Sequence, residues 1–442
     1  MRRGLIAGVL ATGFALVGCS AATLAESGPV AVQGAPGTVP DVTPALPRPT
    51  LRALHIAGAL PTERPPVADG ETARVFPVSP APPQPDRPVL GPPPPKPAGP
   101  AWPVTPVEQA AVVPGPVNVY SHITSGQLSP AVADVPLRAY VPNSDAGTVS
   151  VIDPSTMKVI DRFNVGVRPH HVTPSWDLTK LYVNNTESNS LTVIDPRSGR
   201  PTATIPITDP YNLYFTPDGT KAIVVAERFQ RLDFYEASSW NFIRSVSIPF
   251  AGVDHADFTA DGRYFLASTE FSGQVVKVDT ETMAYVGKAD VGGLPIDVKL
   301  SPDGKVLYVA NQGRHGVSIV DVESMAEVGF LKTGQGAHGL NVSRDAATLY
   351  VSNRMEGSIS VVDFATRTVR ETWKLGGSPD MIQVSADGSQ LWVSNRFQGS
   401  VSVVDTATGK VTNTIPTGPG AHGVSLFPQP GRFNVGHNGV YR

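Results

Sequence analysis

Five of the nine histidines in this 442-residue chain fall at equivalent points of one repeating pattern. The pattern sets paired positions at His170-His171, Tyr211-Asn212, Asp254-His255, Ile296-Asp297, His338-Gly339, Asp380-Met381 and His422-Gly423. An even spread would put well under one histidine in those fourteen positions, and three aspartates, Asp254, Asp297 and Asp380, join them. Neutral imidazole and carboxylate are the ligands that zinc, copper, iron or nickel accept, and an aspartate can also orient a ligating ring. The same groups suit a plainer role, holding a channel mouth together by hydrogen bonds and ordered water. No HxxxH or HExxH spacing is present, so the ligands meet only if the fold gathers them.

Two further sets of residues carry charge or reactivity. Arg228, Arg354 and Arg396 follow the second strand of their repeats, the last two inside SNR triplets. Guanidinium groups around an opening favour an anionic ligand, although pairing with neighbouring carboxylates is the commoner fate of a surface arginine. The single cysteine is Cys19. One thiol rules out an internal disulfide, a thiolate metal cage and a covalent c-type haem attachment.

The element that must position these side chains is a β repeat. Tyr140, Tyr182, Ile223, Leu266, Tyr308, Tyr350 and Trp392 recur every 41 to 43 residues, and Asp153, Asp195, Asp279, Asp321, Asp363 and Asp405 are spaced by 42 or its double. Each unit reads as four short strands, for example PIDVKLS (295–301), VLYVANQ (306–312), VSIVD (317–321) and EVGFLKT (327–333). The turn between the first two is often D-G, as in PDG at 217–219 and 302–304, where positive φ favours glycine. The repeating aspartates are expected to cap turns through their own backbone, and Asn311, Asn353 and Asn395 to bond blade to loop.

A four-stranded repeat of roughly 40–45 residues is a propeller blade, and seven copies predict an all-β, seven-bladed propeller of antiparallel blades over 136–427. The first unit starts at its second strand, while AHGVSLF (421–427) is left over at the end. The C-terminal strand should therefore complete the first blade and remove the free edges, which fits a monomer. First strands line the axis, so His338, Asp380, His422 and His170 form one arc of the rim. His171, Asn212, His255 and Asp297 form a second tier from the complementary arc. The polar residues two places on, Thr173, Tyr214, Asp257, Lys299, Asn341, Gln383 and Ser425, suggest that this parity faces channel water. His437, in the tail 428–442, should begin on the opposite face.

The rest of the chain is of another kind. Residues 1–19 combine two arginines with an apolar run of export length, and Leu16-Val17-Gly18-Cys19 resembles a bacterial lipobox. Export and lipidation of Cys19, anchoring the protein to a membrane at the outer face of the cytoplasmic membrane or in the cell envelope, are the expectation. Residues 20–135 hold most of the 44 prolines and read as a disordered tether, spanning up to on the order of 300 Å if largely polyproline II. Its last part, Val117 to Ala133, is less proline-rich and is expected to pack on the propeller. A net charge of −3 with no long basic run disfavours nucleic acid as a partner.

The strings LYVNN, LYVAN, LYVSN and LWVSN, followed by VIDP or VVDT, resemble the YVTN family of β-propeller repeat proteins, related to the haem d1 propeller of cytochrome cd1 nitrite reductase. The segments DPYNLYFTPDG, GVDHADFTADG and PQPGRFNVGHNG are similar to a YncE-like bacterial lipoprotein or secreted subgroup. The resemblance implies the fold over 136–427 and leaves activity open. Nitrous oxide reductase carries metal at a histidine-lined propeller face, but its histidine set is not matched here. Two function classes stand: an envelope propeller that binds a small ligand or an envelope protein at the His/Asp/Arg face, or a metal-dependent enzyme, a lactonase-like hydrolase or an oxidoreductase, using zinc or copper there. Nothing resembling GxSxG, a P-loop or a dinucleotide fingerprint offers another class.

Overall fold

Short β-branched runs punctuated every few residues by turn signals leave the chain little choice but a meander. The computed structural model, which describes residues 117–442, shows seven four-stranded antiparallel sheets. The leader, Cys19 and the tether up to residue 116 lie outside the described residues. In six blades the strands follow chain order from inside to outside. In the first, the inner strand is Ser425–Phe427, beside Arg138–Asn143, Thr148–Asp153 and Lys158–Asn164, with Arg138 opposite Phe427 and Tyr140 opposite Ser425. The ring is closed by its C-terminal strand, as the phase of the repeat requires.

Burial follows from position in the blade. Inner strands such as Pro295–Leu300 and their neighbours such as Val306–Asn311 are buried throughout, because adjacent blades cover both faces. Outer strands such as Ala326–Lys332 are only half covered, and there polar and apolar residues mix. The repeated aspartates cap turns: Asp321 Oδ1 accepts from the Ser324 amide at 2.8 Å, and Asp363 and Asp405 do the same for Thr366 and Thr408. Gly219 holds φ +70, and a Cβ there would lie 2.5 Å from the Trp176 ring.

One backbone feature bears directly on function. In five inner strands the ladder breaks after the first residue and resumes three residues on, between Pro169 and Val172, Val253 and Ala256, Pro295 and Val298, Ala337 and Leu340, and Pro379 and Ile382. The two skipped residues are the candidate pair each time. Such a break re-aims side chains that strict alternation would send to opposite faces. The rings of His170 and His171, adjacent in sequence, therefore both lie 4.8 Å from the ring of His422.

The folded body reaches back to residue 117, into the stretch whose composition suggests a tether. Tyr120 and Ile123 are buried, Val119 N donates to Pro302 O at 2.9 Å, and the Tyr120 hydroxyl donates to Leu300 O at 2.8 Å. These two side chains supply the apolar area that the proline-rich sequence before them lacks. Leu128 bridges to Pro430 and Gly431, so both flanking segments meet on the face opposite the candidate site.

Candidate functional site

Serines from the second strands set the rim. Ser352 Oγ accepts from the Gly339 amide at 2.7 Å and donates to Asp380 O at 2.6 Å, which ties its own blade's break to the next inner strand. Ser394 repeats the device between Met381 and His422, and Ser268 between His255 and Ile296. The asparagine that follows turns outward: Asn311 Nδ2 donates to Gly292 O in a loop, as expected, whereas Asn353 Nδ2 donates to Ser358 and Ser360 of the adjacent strand Ser358–Asp363.

The rim arc expected from the sequence is assembled around Asp380. His338 Nδ1 is 2.9 Å from Asp380 Oδ1, His422 Nε2 is 3.9 Å from Asp380 Oδ2, and the rings of His170 and His422 are 4.8 Å apart. Arg354 Nη2 contacts both His338 Nε2 and Asp380 Oδ1, and Arg396 Nη1 stands 3.8 Å from Asp380 Oδ2. Two guanidinium groups, 7% and 6% exposed, thus face one carboxylate. Arg228 is not part of this group. Its Nε is 2.6 Å from Asp209 Oδ1 and its Nη2 donates to Thr186 O, because the third blade offers that carboxylate in its own loop.

The second tier lies deeper. His255 Nδ1 is 2.6 Å from Asp254 Oδ1, and the rings of His171 and His255 are 5.2 Å apart. Asp297 Oδ1 takes Lys299 Nζ at 3.0 Å and the Val298 amide at 2.8 Å, while Oδ2 takes the Leu340 amide at 2.8 Å. Three of the polar residues below also tie the ring together, and Lys299, Asn341 and Gln383 line a cavity there. Asp257 Oδ2 accepts from Leu300 N, Asn341 Oδ1 from Val384 N and Gln383 Oε1 from Leu426 N, each fastening one inner strand to the next. Unpaired inner-strand amides at the axis leave these side chains no better partner.

What the sequence did not place is the tail. It begins on the opposite face, then folds back as a hairpin, with Val435 N bonded to Val440 O and Asn434 bridged to Tyr441. Its tip, Gly436 to Gly439, enters the channel. His437 Nδ1 is 2.8 Å from the Tyr214 hydroxyl, His437 Nε2 is 3.4 Å from Asp297 Oδ1, and its ring is 4.4 Å from that of His255. Asn438 Oδ1 is 3.2 Å from His171 Nδ1, and Asn438 O accepts from Gln383 Nε2 at 2.6 Å. Arg442 closes the hairpin on Asp257 and lies over the Tyr120 ring. Glycines on either side of His-Asn were the only signal; a Cβ at Gly436 would lie 2.6 Å from the Tyr214 ring.

Burial governs the protonation of this site. It drives His422 and His171 well below the usual imidazole range, and His437 down to about 3. His338 is lowered by burial and by the Arg354 charge. Burial also opposes the charged form of His255, but Asp254 outweighs it and the net shift is upward. For Asp380 and Asp297 burial is again the largest opposing effect; Arg354 and Lys299 respectively lead the groups that nonetheless hold them well below the carboxylate range. Tyr211, between Asp254 and Arg396, is pushed well up by burial. Buried Nε2 atoms of His171, His255 and His422 have no hydrogen-bond partner. Among the described residues, no group of three or more His, Cys, Asp or Glu side chains already stands in a metal-holding arrangement.

The ring is shared with several solved structures. It matches a functionally unknown protein from Desulfotomaculum acetoxidans DSM 771 with TM-score 0.58 at 17% identity, over 65% of this chain and 98% of that one. It matches the hydrazine synthase of Kuenenia stuttgartiensis with TM-score 0.56 at 20% identity, over 68% and 99%. For the dihydro-haem d1 dehydrogenase NirN the TM-score is 0.52 at 14% identity, over 67% and 75%. At these identities the likeness shows the fold alone. No curated protein matches the chain. The model of one family matches residues 110–431, and on that match the chain belongs to the YncE-like β-propeller family.

Proposed function

We propose that this protein is an exported monomeric propeller, anchored to the envelope through lipid on Cys19, that binds a small anionic ligand at the His/Asp/Arg mouth. The observation that carries the reading is the pair of buried guanidinium groups, Arg354 and Arg396, on the single carboxylate of Asp380. A buried cation without a full counter-charge is costly, and a carboxylate or phosphate group seated against Arg396 would relieve that cost. The neutral imidazoles of His338 and His422 add hydrogen-bonding capacity without adding charge. Both the lipid anchor and the export rest on the leader sequence, and the described chain leads away from the mouth on the opposite face.

The test is thermal unfolding of the full chain with inorganic phosphate and with acetate. A ligand-dependent rise in Tm that is lost in R396Q and kept in R228Q supports the reading. No rise with either anion, or the same rise in R396Q, overturns it.

A second reading, a metal-dependent hydrolase or oxidoreductase at the same face, is favoured by the unpartnered Nε2 atoms of His171, His255 and His422. Turnover that vanishes on chelation would move this reading ahead of the first.

A further inference from the structure

Three imidazoles form a closed triangle inside the channel. The ring centroids of His171, His255 and His437 are 5.2, 5.3 and 4.4 Å apart. Two imidazoles that share a metal through nitrogen at about 2.0–2.1 Å place their centroids roughly 4.5–5.5 Å apart. The ring centres are therefore at separations that a shared metal allows, while among the described residues the nitrogens do not already stand in a metal-holding arrangement.

Each ring also has an oxygen beside its Nδ1, as a ligating histidine does. His171 Nδ1 faces Asn438 Oδ1 at 3.2 Å, His255 Nδ1 faces Asp254 Oδ1 at 2.6 Å, and His437 Nδ1 faces the Tyr214 oxygen at 2.8 Å. The Asn438 and Asp254 oxygens accept, so His171 and His255 can keep the proton on Nδ1 and leave Nε2 to a metal; the Tyr214 hydroxyl, which can donate or accept, takes the acceptor role towards His437 when that ring binds through Nε2. The Nε2 atoms of His171 and His255 are buried and bonded to nothing. His437 Nε2 is partnered by Asp297 at 3.4 Å, a long contact that a metal would displace and that Asp297, also bonded to Lys299 and two amides, can give up. The His338–Asp380 end of the rim offers no comparable place, because Arg354 already sits there as the cation.

We propose that His171, His255 and His437 form a three-nitrogen site for a divalent first-row transition metal, copper or zinc, which the C-terminal hairpin completes from below. The proposal deepens the second functional reading but does not need turnover. Asp254, Asn438 and Tyr214 act as positioning residues. Nitrogen-only donors favour copper over zinc at equal availability, by the usual order of divalent affinities.

The experiment uses the full chain, stripped with chelator and titrated with Cu(II), Zn(II) and Co(II). One equivalent of metal, nitrogen hyperfine structure in the Cu(II) spectrum and a visible Co(II) band are expected. H437Q and H171Q should weaken binding by 100-fold or more while keeping the circular dichroism of the parent, and H338Q should bind as the parent does. If H437Q fails to fold, H255N carries the same test. No stoichiometric uptake, or uptake untouched by these ring substitutions, overturns the proposal. R396Q should keep the metal and H171Q should keep the phosphate response, so the metal site and the anion reading can fail separately.

Discussion

The Tyr214 hydroxyl stands 2.8 Å from His437 Nδ1 and also accepts the Ala256 amide at 2.7 Å, so one phenol joins the third blade, the fourth blade and the C-terminal hairpin. Both partners are buried, and neither has water to turn to.

Tyr214→Phe should therefore cost about 1–3 kcal/mol, the penalty for leaving buried polar groups unpaired. Urea unfolding measures the loss. Hydrogen exchange should show the amides of Val435 and Val440 opening first, since they hold only the hairpin.

Asp380→Asn removes the counter-charge of two buried arginines and should destabilise by about 3–5 kcal/mol. The double variant D380N/R354Q should recover part of that loss, because it removes one of the stranded charges. A double-mutant cycle by urea unfolding checks the sign of the coupling.

Ser352→Ala should cost about 1–3 kcal/mol, although it removes one oxygen, because Gly339 N and Asp380 O both lose their partner. Ser324→Ala, on an exposed turn, should stay within about 0.5 kcal/mol of zero. Equal losses in the two would show that the strand-to-strand bridge carries no special weight.

For the metal-free protein, stability should fall as the pH drops below the ordinary imidazole value. His422 and His338 have folded pKa values below that of the unfolded chain, so the unfolded state binds more protons through this window and gains as pH falls. Their contribution is complete above about pH 6.5 and is lost on the way down, by up to about 2 kcal/mol for His422 at pH 5. His255 has the opposite sign: its contribution is present below the unfolded value and fades as pH rises through its raised pKa. The depressed rings outnumber it, so the net slope is positive with pH. H422Q should flatten Tm against pH between 5 and 7; an unchanged slope would contradict the burial argument.

Most of the frame was legible because a propeller is periodic. The phase of Tyr140 to Trp392 gave seven blades, and the leftover AHGVSLF gave the closure. Asp380 and His338 could be brought together on the rim by counting alone. Three things were hidden. The inner-strand breaks have no residue signature, and nothing in the repeat told that Asp257, Asn341 and Gln383 also fasten neighbouring strands. Arg228 and Arg354 occupy similar loop positions, yet only Arg354 has the Asp380 carboxylate within reach. His437 lies in a tail outside the repeat, and nothing in GHNG tells how deep its hairpin goes.

The closing strand has a kinetic consequence. Arg138 cannot meet Phe427 until nearly the whole ring has been made, so the first sheet keeps a bare margin throughout synthesis. Such a margin invites pairing with other chains, and a slow, late-sealing assembly step is expected to be the point at which a holding chaperone is needed.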